Sequence, residues 1–369
     1  MVNAVSADRT AVKLRIDETD YQIQEGITLL DACLQTNHYV PALCAHPDLP
    51  TVGECGLCII KISTQEEPVL ACAEKVSDGI SILSSSPELQ KLRQKRLSQI
   101  LKDHPHVCLT CPHQDGCDRT ECTLGFSIEE RCCSQFGKCE IQKVSHYIEI
   151  SPDTPPYRPS HLPIWEKDPV IRLNLELCIG CMRCVDVCSK VMGYNALSSF
   201  IFNSRSLVKP MKADLTGTSP SGANPGAGFK ESGCRFCGAC VEVCPAGAVI
   251  EYGKNGSRWR EKTKSKLNFS SLPVPPSKTI SLESSNLSFV PNEPGVYRLW
   301  NEKGELFAVE GSPNLKNSLK EEIENQKNGF GFDFEVVQFY TQRANELLQS
   351  HLKRSGKLPD GNEILDDLY

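Results

Sequence analysis

The chain has 369 residues, enough for two or three compact domains, and a formal net charge of -6, which disfavours the basic face that nucleic-acid binding needs. It has no secretion signal and no run of about 18 apolar residues, so we expect a cytoplasmic protein. Disulfides do not persist in that reducing compartment, and the 20 cysteines therefore predict metal or redox chemistry.

Residues 1–84 are predicted to form a small mixed sheet on one helix, a β-grasp-like composition. Short alternating strands surround Val12 and Tyr21, a helix follows Thr28, and further strands occupy the region 58–83. Four thiolates with three on one loop and the fourth beside a neighbouring strand are what a [2Fe-2S] centre requires. The expected ligands are Cys44, Cys55, Cys58 and Cys72.

Residues 85–165 begin with a helix that Ser86 caps and Pro87 starts, ending near His104. A cysteine-dense, loop-like stretch follows, and a proline-rich connection at 155–163 leads into the next domain. Overall we expect an α+β multidomain protein.

Residues 166–255 contain the same short cysteine pattern twice, which is typical of a bacterial ferredoxin with two [4Fe-4S] clusters. In that pattern the fourth cysteine of each run ligates the other cluster. One expected set is therefore Cys178, Cys181, Cys184 and Cys244, and the second is Cys234, Cys237, Cys240 and Cys188. A zinc site is the alternative, but it would leave half of each run unused.

The N-terminal cysteine set, in CAHPDLPTVGECGLC, resembles that of the large iron-sulfur subunit of respiratory complex I and the diaphorase iron-sulfur subunit of NAD-linked hydrogenases. This resemblance implies a further [4Fe-4S] cluster held by one histidine and three cysteines. His104, Cys108 and Cys111 stand in the implied order. The last ligand is either Cys139, which precedes Glu-x-Gln and a helix, or Cys117, which has the usual spacing.

If Cys139 is the ligand, the stretch between Cys111 and Cys139 is an insertion with four cysteines of its own. We expect these to hold an additional [4Fe-4S] cluster, with a zinc knuckle or unligated thiols as alternatives: Cys117, Cys122, Cys132 and Cys133. Cys33 lies in the apolar part of a helix and is interpreted as a core residue.

The chain contains no dinucleotide fingerprint and no P-loop, so we expect it to bind neither nucleotide nor flavin. No cysteine set remains for a catalytic metal centre. The resemblance implies a flavoprotein partner of the NAD(P)H-oxidising type and a second, catalytic redox subunit. The sequence thus predicts a non-catalytic electron-transfer subunit of a cytoplasmic oxidoreductase.

Residues 256–288 are predicted to be a linker, and residues 289–369 a separate small α/β domain without cysteine. This last stretch resembles GIY-YIG nucleases, with Tyr297 at the first catalytic tyrosine. Phe307 and Ser318 replace the second tyrosine and the arginine, which implies an inactive docking module; an unrelated fold is the alternative. A rival interpretation of the whole chain is a nucleic-acid-processing protein with structural clusters.

Overall fold

A computed structural model describes residues 11–36, 38–50, 53–111, 117, 121–137, 139–168, 170–213, 226–253, 267, 269–270, 272–273, 275, 280–302, 305–325, 330–355 and 357–362. The described residues divide into two compact units. The first is drawn from 1–110 and 123–275, and the second from 111–122 and 276–369. In the described part of the chain, no helix is long and apolar enough to cross a membrane.

The first unit begins with a mixed five-stranded sheet. Its strands are β1 (Ala11–Ile16), β2 (Thr19–Gln24), β3 (Ile59–Ile62), β4 (Val69–Leu70) and β5 (Ile80–Leu83), in the order β2-β1-β5-β3-β4. β1 and β5 are parallel and the other pairs are antiparallel. Exposed and buried residues alternate along β1, as its sequence predicts. Helix α1 (Leu29–Gln35) covers the apolar face and contributes Cys33, which is fully buried as expected.

Helix α2 (Pro87–Leu101) begins where the sequence predicts. The Leu89 backbone N–H donates to the Ser86 hydroxyl at 3.1 Å, which satisfies one of the free donors of the first turn. Helix α3 (Glu140–Ile148) packs against α2, and the sulfur of Cys139 caps its N-terminus. The two helices place Cys139 at the edge of the apolar core that also contains Cys44 and Cys55.

The remainder of the first unit surrounds the two cysteine runs. β6 (Ile164–Trp165), β7 (Ile171–Asn174) and β10 (Val249–Glu251) form a sheet in the order β10-β7-β6. α4 (Arg183–Asp186) and α5 (Ala239–Glu242) each carry part of one run. A hairpin of β8 (Leu197–Phe202) and β9 (Arg205–Pro210), which the sequence analysis did not predict, lies between the runs; residues 214–225 lie outside the described residues.

The second unit contains an antiparallel four-stranded sheet and two helices. The strands are β11 (Ile280–Ser281), β12 (Gly295–Trp300), β13 (Leu306–Ser312) and β14 (Gly331–Val336), in the order β11-β14-β12-β13. The helices are α6 (Leu315–Glu324) and α7 (Tyr340–Ser355). β11 pairs with β14 although it lies in the stretch predicted as a linker, of which residues 256–266, 268, 271, 274 and 276–279 are outside the described residues.

Candidate iron-sulfur centres

The structure brings the four cysteines of the N-terminal set together. Cys44, Cys55 and Cys58 lie on the loop between α1 and β3, and Cys72 follows β4. The sulfurs of Cys44 and Cys55 are 3.4 Å apart, and a hydrogen bond links the side chains of Cys58 and Cys72. All four residues are buried free thiols. The predicted [2Fe-2S] ligands therefore share one enclosed region at the end of the sheet.

Backbone N–H groups point at the sulfur of Cys55 in this loop. The N–H of Leu43 donates to it at 3.3 Å, and the N–H groups of Leu57 and Cys44 also contribute. The hydrogen bond from the Cys44 thiol, aided by these donors, lowers the pKa of Cys55 to about 6, whereas the same bond and burial raise the pKa of Cys44. A sulfur surrounded by N–H donors is stabilised as a thiolate, which is the form that binds iron.

Two glycines permit the tight course of this loop. Gly53 and Gly56 have φ of +79° and +64°, a region that favours glycine. Gly56 is also crowded, since a Cβ there would lie 2.8 Å from Nε of Arg96. That guanidinium donates to the carbonyls of Cys55 at 2.8 Å and Glu54 at 3.0 Å. Arg96 thus stabilises the loop from helix α2, a role that its place in a helical pattern does not predict.

The two ferredoxin-type runs lie side by side and exchange their fourth cysteines. Cys244 is close enough to Cys178, Cys181 and Cys184 to raise the pKa of each, although burial is the larger cause. Cys188 likewise acts on Cys234, Cys237 and Cys240. A cavity is lined by all four of these latter cysteines together with Phe229 and Tyr194. The fourth cysteine of each run thus lies near the other run, and the two ligand sets stay predictions.

Left-handed backbone conformations shape both runs. Met182 and Gly238, at φ of +61° and +84°, immediately precede α4 and α5. Gly180, at φ +71°, approaches the hairpin so closely that a Cβ would lie 2.2 Å from the carbonyl oxygen of Ser206. These turns direct the N–H of Gly180 to Cys178 and that of Phe236 to Cys234, the latter at 3.3 Å.

His104 lies in the interior of the first unit, beyond the end of α2. Its Nδ1 donates to the carbonyl of Pro105 at 2.9 Å, which leaves Nε2 unprotonated, buried and without a hydrogen-bond partner of good geometry among the described residues. Burial lowers the pKa of His104 to about 4, so that the ring is neutral at pH 7. A neutral imidazole with a buried, unpaired nitrogen is suited to bind a metal.

The remaining cysteines are divided between the two units. Cys108, Cys132, Cys133 and Cys139 belong to the first unit, with His104. Cys111, Cys117 and Cys122 belong to the second, and Cys117 is exposed. The predicted extra cluster of Cys117, Cys122, Cys132 and Cys133 stays a prediction.

A buried ion pair that the sequence did not predict connects three of these loops. Arg183, between Cys181 and Cys184, donates to both carboxylate oxygens of Glu140, next to Cys139, at 2.6 and 2.8 Å. It also donates to the carbonyl of Ala45, next to Cys44. Burial lowers the pKa of Arg183, but Glu140 together with Cys181 and Cys44 raises it by more, so that the guanidinium remains charged. Only tertiary contacts reveal this link, because its residues are far apart in the chain.

A short part of the segment predicted as a linker lies against the N-terminal cysteine loop. The N–H and hydroxyl of Ser270 donate to the carboxylate of Asp48 at 2.6 and 2.8 Å. The ring of Phe269 packs edge-on against His46, with 5.7 Å between centroids. These contacts cover the loop between Cys44 and Cys55.

In the second unit, the tyrosine predicted as a relic of a nuclease site is part of the core. Tyr297 is 5% exposed, and its hydroxyl donates to Glu322 at 2.9 Å. Phe307 packs edge-on against Phe330, and the hydroxyls of Ser318 and Ser312 lie 2.8 Å apart. The resemblance to GIY-YIG nucleases stays a prediction.

The thiols and the imidazole described above have the chemistry that ligands of iron-sulfur clusters need. Burial raises the pKa of thiols such as Cys181 and Cys184, because a buried thiolate needs a compensating charge, and iron supplies one. N–H groups already point at several sulfurs, and Nε2 of His104 has no hydrogen-bond partner of good geometry among the described residues. Among the described residues, no three His, Cys, Asp or Glu side chains come close enough to hold a single metal ion.

Comparison with known proteins supports the same assignment. Residues 9–87 match the 2Fe-2S iron-sulfur cluster binding domain, and residues 177–248 match the 4Fe-4S dicluster domain. An NADH-quinone oxidoreductase subunit of Rhizobium meliloti (strain 1021) is 29% identical over 245 residues, which are 65% of this chain and 24% of that protein. An NADH-quinone oxidoreductase subunit of Rickettsia prowazekii (strain Madrid E) is 23% identical over 351 residues, 94% of this chain and 42% of that protein.

A crystal structure of NAD+-reducing [NiFe]-hydrogenase in the H2-reduced state contains a chain that is 23% identical, with a TM-score of 0.48. The match covers 66% of this chain and 88% of that one. The chain spans less than half the length of the Rhizobium and Rickettsia relatives. The resemblance that the cysteine sets predicted is confirmed by the domain matches and the relatives.

Proposed function

We propose that this chain, which contains a 2Fe-2S cluster binding domain and a 4Fe-4S dicluster domain and is homologous to a subunit of NADH-quinone oxidoreductase, is an electron-transfer subunit of a larger oxidoreductase. It relays electrons between a flavoprotein of the NAD(P)H-oxidising type and another redox subunit. Catalysis belongs to those partners. The relatives are named as subunits of NADH-quinone oxidoreductase, which supports a multi-subunit setting.

The observation that carries the proposal is the grouping of the cysteine loops in one compact unit. Arg183 contacts the loop of the N-terminal set through Ala45 and the start of α3 through Glu140, while its own neighbours Cys181 and Cys184 belong to the first ferredoxin run. Cys184 in turn interacts with Cys240 in the second run closely enough for that thiol to raise its pKa. A chain of neighbouring redox sites is what a relay requires.

The ligands proposed for the [2Fe-2S] cluster are Cys44, Cys55, Cys58 and Cys72. Those for the two ferredoxin-type [4Fe-4S] clusters are Cys178, Cys181, Cys184 and Cys244, and Cys188, Cys234, Cys237 and Cys240. The ligands proposed for a third [4Fe-4S] cluster are His104, Cys108, Cys111 and either Cys139 or Cys117. Such clusters supply one-electron oxidation and reduction, at potentials that depend on burial and on hydrogen bonds to the sulfurs.

The protein's own contribution is to bury the cysteines and to place N–H donors and cations near their sulfurs. Each donor to a sulfur, such as Leu43 N–H to Cys55, favours the negatively charged thiolate. The buried guanidinium of Arg183 acts in the same direction on Cys181. We place the protein in the cytoplasm, where a reducing environment keeps such thiols available.

Anaerobic purification tests the proposal directly. One [2Fe-2S] and three [4Fe-4S] clusters predict about 14 irons per chain, and the extra cluster of inserted cysteines would raise this to about 18. Reduction with dithionite, followed by electron paramagnetic resonance, should reveal several reducible centres. A colourless protein, a zinc protein, or clusters that cannot be reduced would refute the electron-transfer role.

A further inference from the structure

Arg93 is a buried cation on helix α2, in contact with strand β3 immediately after Cys58. Its side chain is 0% exposed. Nη2 donates to the carbonyl of Ile59 at 2.6 Å and to that of Ser84 at 2.7 Å. Nε and Nη1 are buried and have no hydrogen-bond partner among the described residues. A buried charge is costly unless another charge compensates it, so the surroundings of Arg93 should contain an anion.

The side chains that surround this guanidinium are neutral until iron is bound. Burial lowers the pKa of Arg93, and the groups that oppose this effect are two tyrosines and two cysteines: Tyr147, Cys58, Cys33 and Tyr39. Burial raises the pKa of both tyrosines, and it raises the pKa of Cys33 to about 12, so these three groups are protonated at pH 7. Cys58 differs from them because it is a predicted iron ligand, and binding iron converts it to a thiolate.

One carboxylate, that of Asp17, is linked to Arg93 through Ser84, but it has partners of its own. The N–H and the hydroxyl of Ser84 both donate to Asp17 at 2.8 Å, while the carbonyl of Ser84 accepts from Arg93. The side chain of Asp17 is also 34% exposed, so water solvates part of its charge. Asp17 therefore compensates the guanidinium only indirectly.

Helix α2 carries a second arginine beside the same cysteine loop, and its surroundings differ. Arg96 donates to the carbonyls of Cys55 and Glu54, but it is only half-buried. Its Nη1 also donates to the side chain of Gln99 at 3.0 Å. Water and this amide solvate the charge of Arg96, which weakens its action on other charges. Of the two arginines, Arg93 is the one whose charge lacks compensation from the described residues.

We propose that the [2Fe-2S] cluster of the N-terminal set compensates the buried charge of Arg93, and that Arg93 in turn raises the reduction potential of this cluster. Two ferric ions, two sulfides and four thiolates together carry two negative charges. One electron from the flavoprotein partner reduces one ferric ion to ferrous and brings the total to three. A fixed buried cation stabilises the more negative, reduced form more strongly. The inference rests on the proposed function in assuming that a [2Fe-2S] cluster occupies this site.

An anaerobic redox titration of the full chain, followed by electron paramagnetic resonance of the [2Fe-2S] centre, tests this inference. Arg93→Gln removes the charge but keeps amide donors for the two carbonyls, whereas Arg93→Lys keeps the charge. At a given potential, the ratio of reduced to oxidised cluster in Arg93→Gln should be about tenfold lower than in the wild type, a shift of about 59 mV for one electron. Arg93→Lys should stay close to the wild type. The control Lys95→Met, which removes an exposed charge from the same helix, should not change the ratio.

Equal potentials in the wild type and Arg93→Gln, or equal shifts in Arg93→Gln and Arg93→Lys, would overturn the inference. Loss of the [2Fe-2S] cluster from Arg93→Gln alone would support it, because the charge would then be needed for assembly. Loss from both variants would overturn it. A wild-type protein without a reducible [2Fe-2S] centre would instead refute the proposed function, so the two failures are distinguishable.

Urea unfolding of the iron-free protein provides a second measurement that does not depend on the cluster. Without iron the guanidinium of Arg93 lacks its compensating charge, so Arg93→Gln should unfold at the same urea concentration as the wild type or at a higher one. A clearly lower midpoint would mean that protein groups alone compensate the charge, which would contradict the inference. Lys95→Met is again the control, and its midpoint should equal that of the wild type.

Discussion

The pair of Glu140 and Arg183 offers the sharpest test of how the cysteine loops are held together. The Arg183 side chain is 1% exposed and that of Glu140 is 15% exposed, and two hydrogen bonds join them. Glu140→Gln removes the charge of one partner and leaves a buried guanidinium without compensation. Breaking a buried pair in this way costs about 3–5 kcal/mol, and we expect the lower end, since glutamine retains one acceptor.

The double variant distinguishes the energy of the Glu140–Arg183 interaction from the separate effects of the two single substitutions. Burial raises the pKa of Glu140 despite its partner, so desolvation offsets much of the attraction. Glu140→Gln combined with Arg183→Met should therefore be more stable than the sum of the single variants predicts, by at least about 1 kcal/mol. Lys320→Met is the control, because its pair with Glu324 is 3.8 Å apart and exposed, and about 0.5 kcal/mol or less is expected.

Urea unfolding under anaerobic conditions measures these differences, with the visible absorbance of the clusters followed alongside far-ultraviolet circular dichroism. The absorbance reports the first unit, whereas the circular dichroism reports both. If Glu140→Gln loses less than about 1 kcal/mol, or if the double variant is additive, the pair does not hold the loops together.

Three further predictions concern a glycine, a histidine and the iron itself. Gly180→Ala should lose iron from the dicluster domain, because its Cβ would lie 2.2 Å from the Ser206 carbonyl; Gly193→Ala, with a similar positive φ and open space, should keep it. Iron-free protein should be about 2 kcal/mol less stable at pH 5 than at pH 7, because the unfolded chain protonates a histidine of ordinary pKa while folded His104, with a pKa of about 4, stays neutral. Urea unfolding of the His104→Gln variant at pH 5 and at pH 7 should show no such loss. A variant with the same difference in the free energy of unfolding between the two pH values as the wild type would contradict the prediction. Removing iron with a chelator should loosen the first unit without unfolding it, so that proteases cleave it faster than the second, which has its own apolar core around Leu299 and Phe332; equal cleavage of both would count against separate units.

Cysteine spacing was sufficient to predict the 4Fe-4S dicluster domain, which the comparison confirms over residues 177–248. A cluster that binds three thiolates from one short loop requires them at fixed intervals, so the spacing of Cys178, Cys181 and Cys184 predicts a site by itself. The helix that begins after Ser86 could also be predicted from the sequence, because capping and the spacing of apolar residues are local properties. The hairpin of β8 and β9 could not be predicted in this way, since the sequences of its strands, LSSFIF and RSLVKP, do not alternate clearly between apolar and polar residues.

The amino-acid order alone specified which chemical groups the protein has and which of them act as local sets. Contacts between distant segments were needed to find the partners of Arg183, because Glu140 and Ala45 are 43 and 138 residues away from it in the chain. Such a contact forms only once both segments are folded, so the distance along the chain does not reveal it.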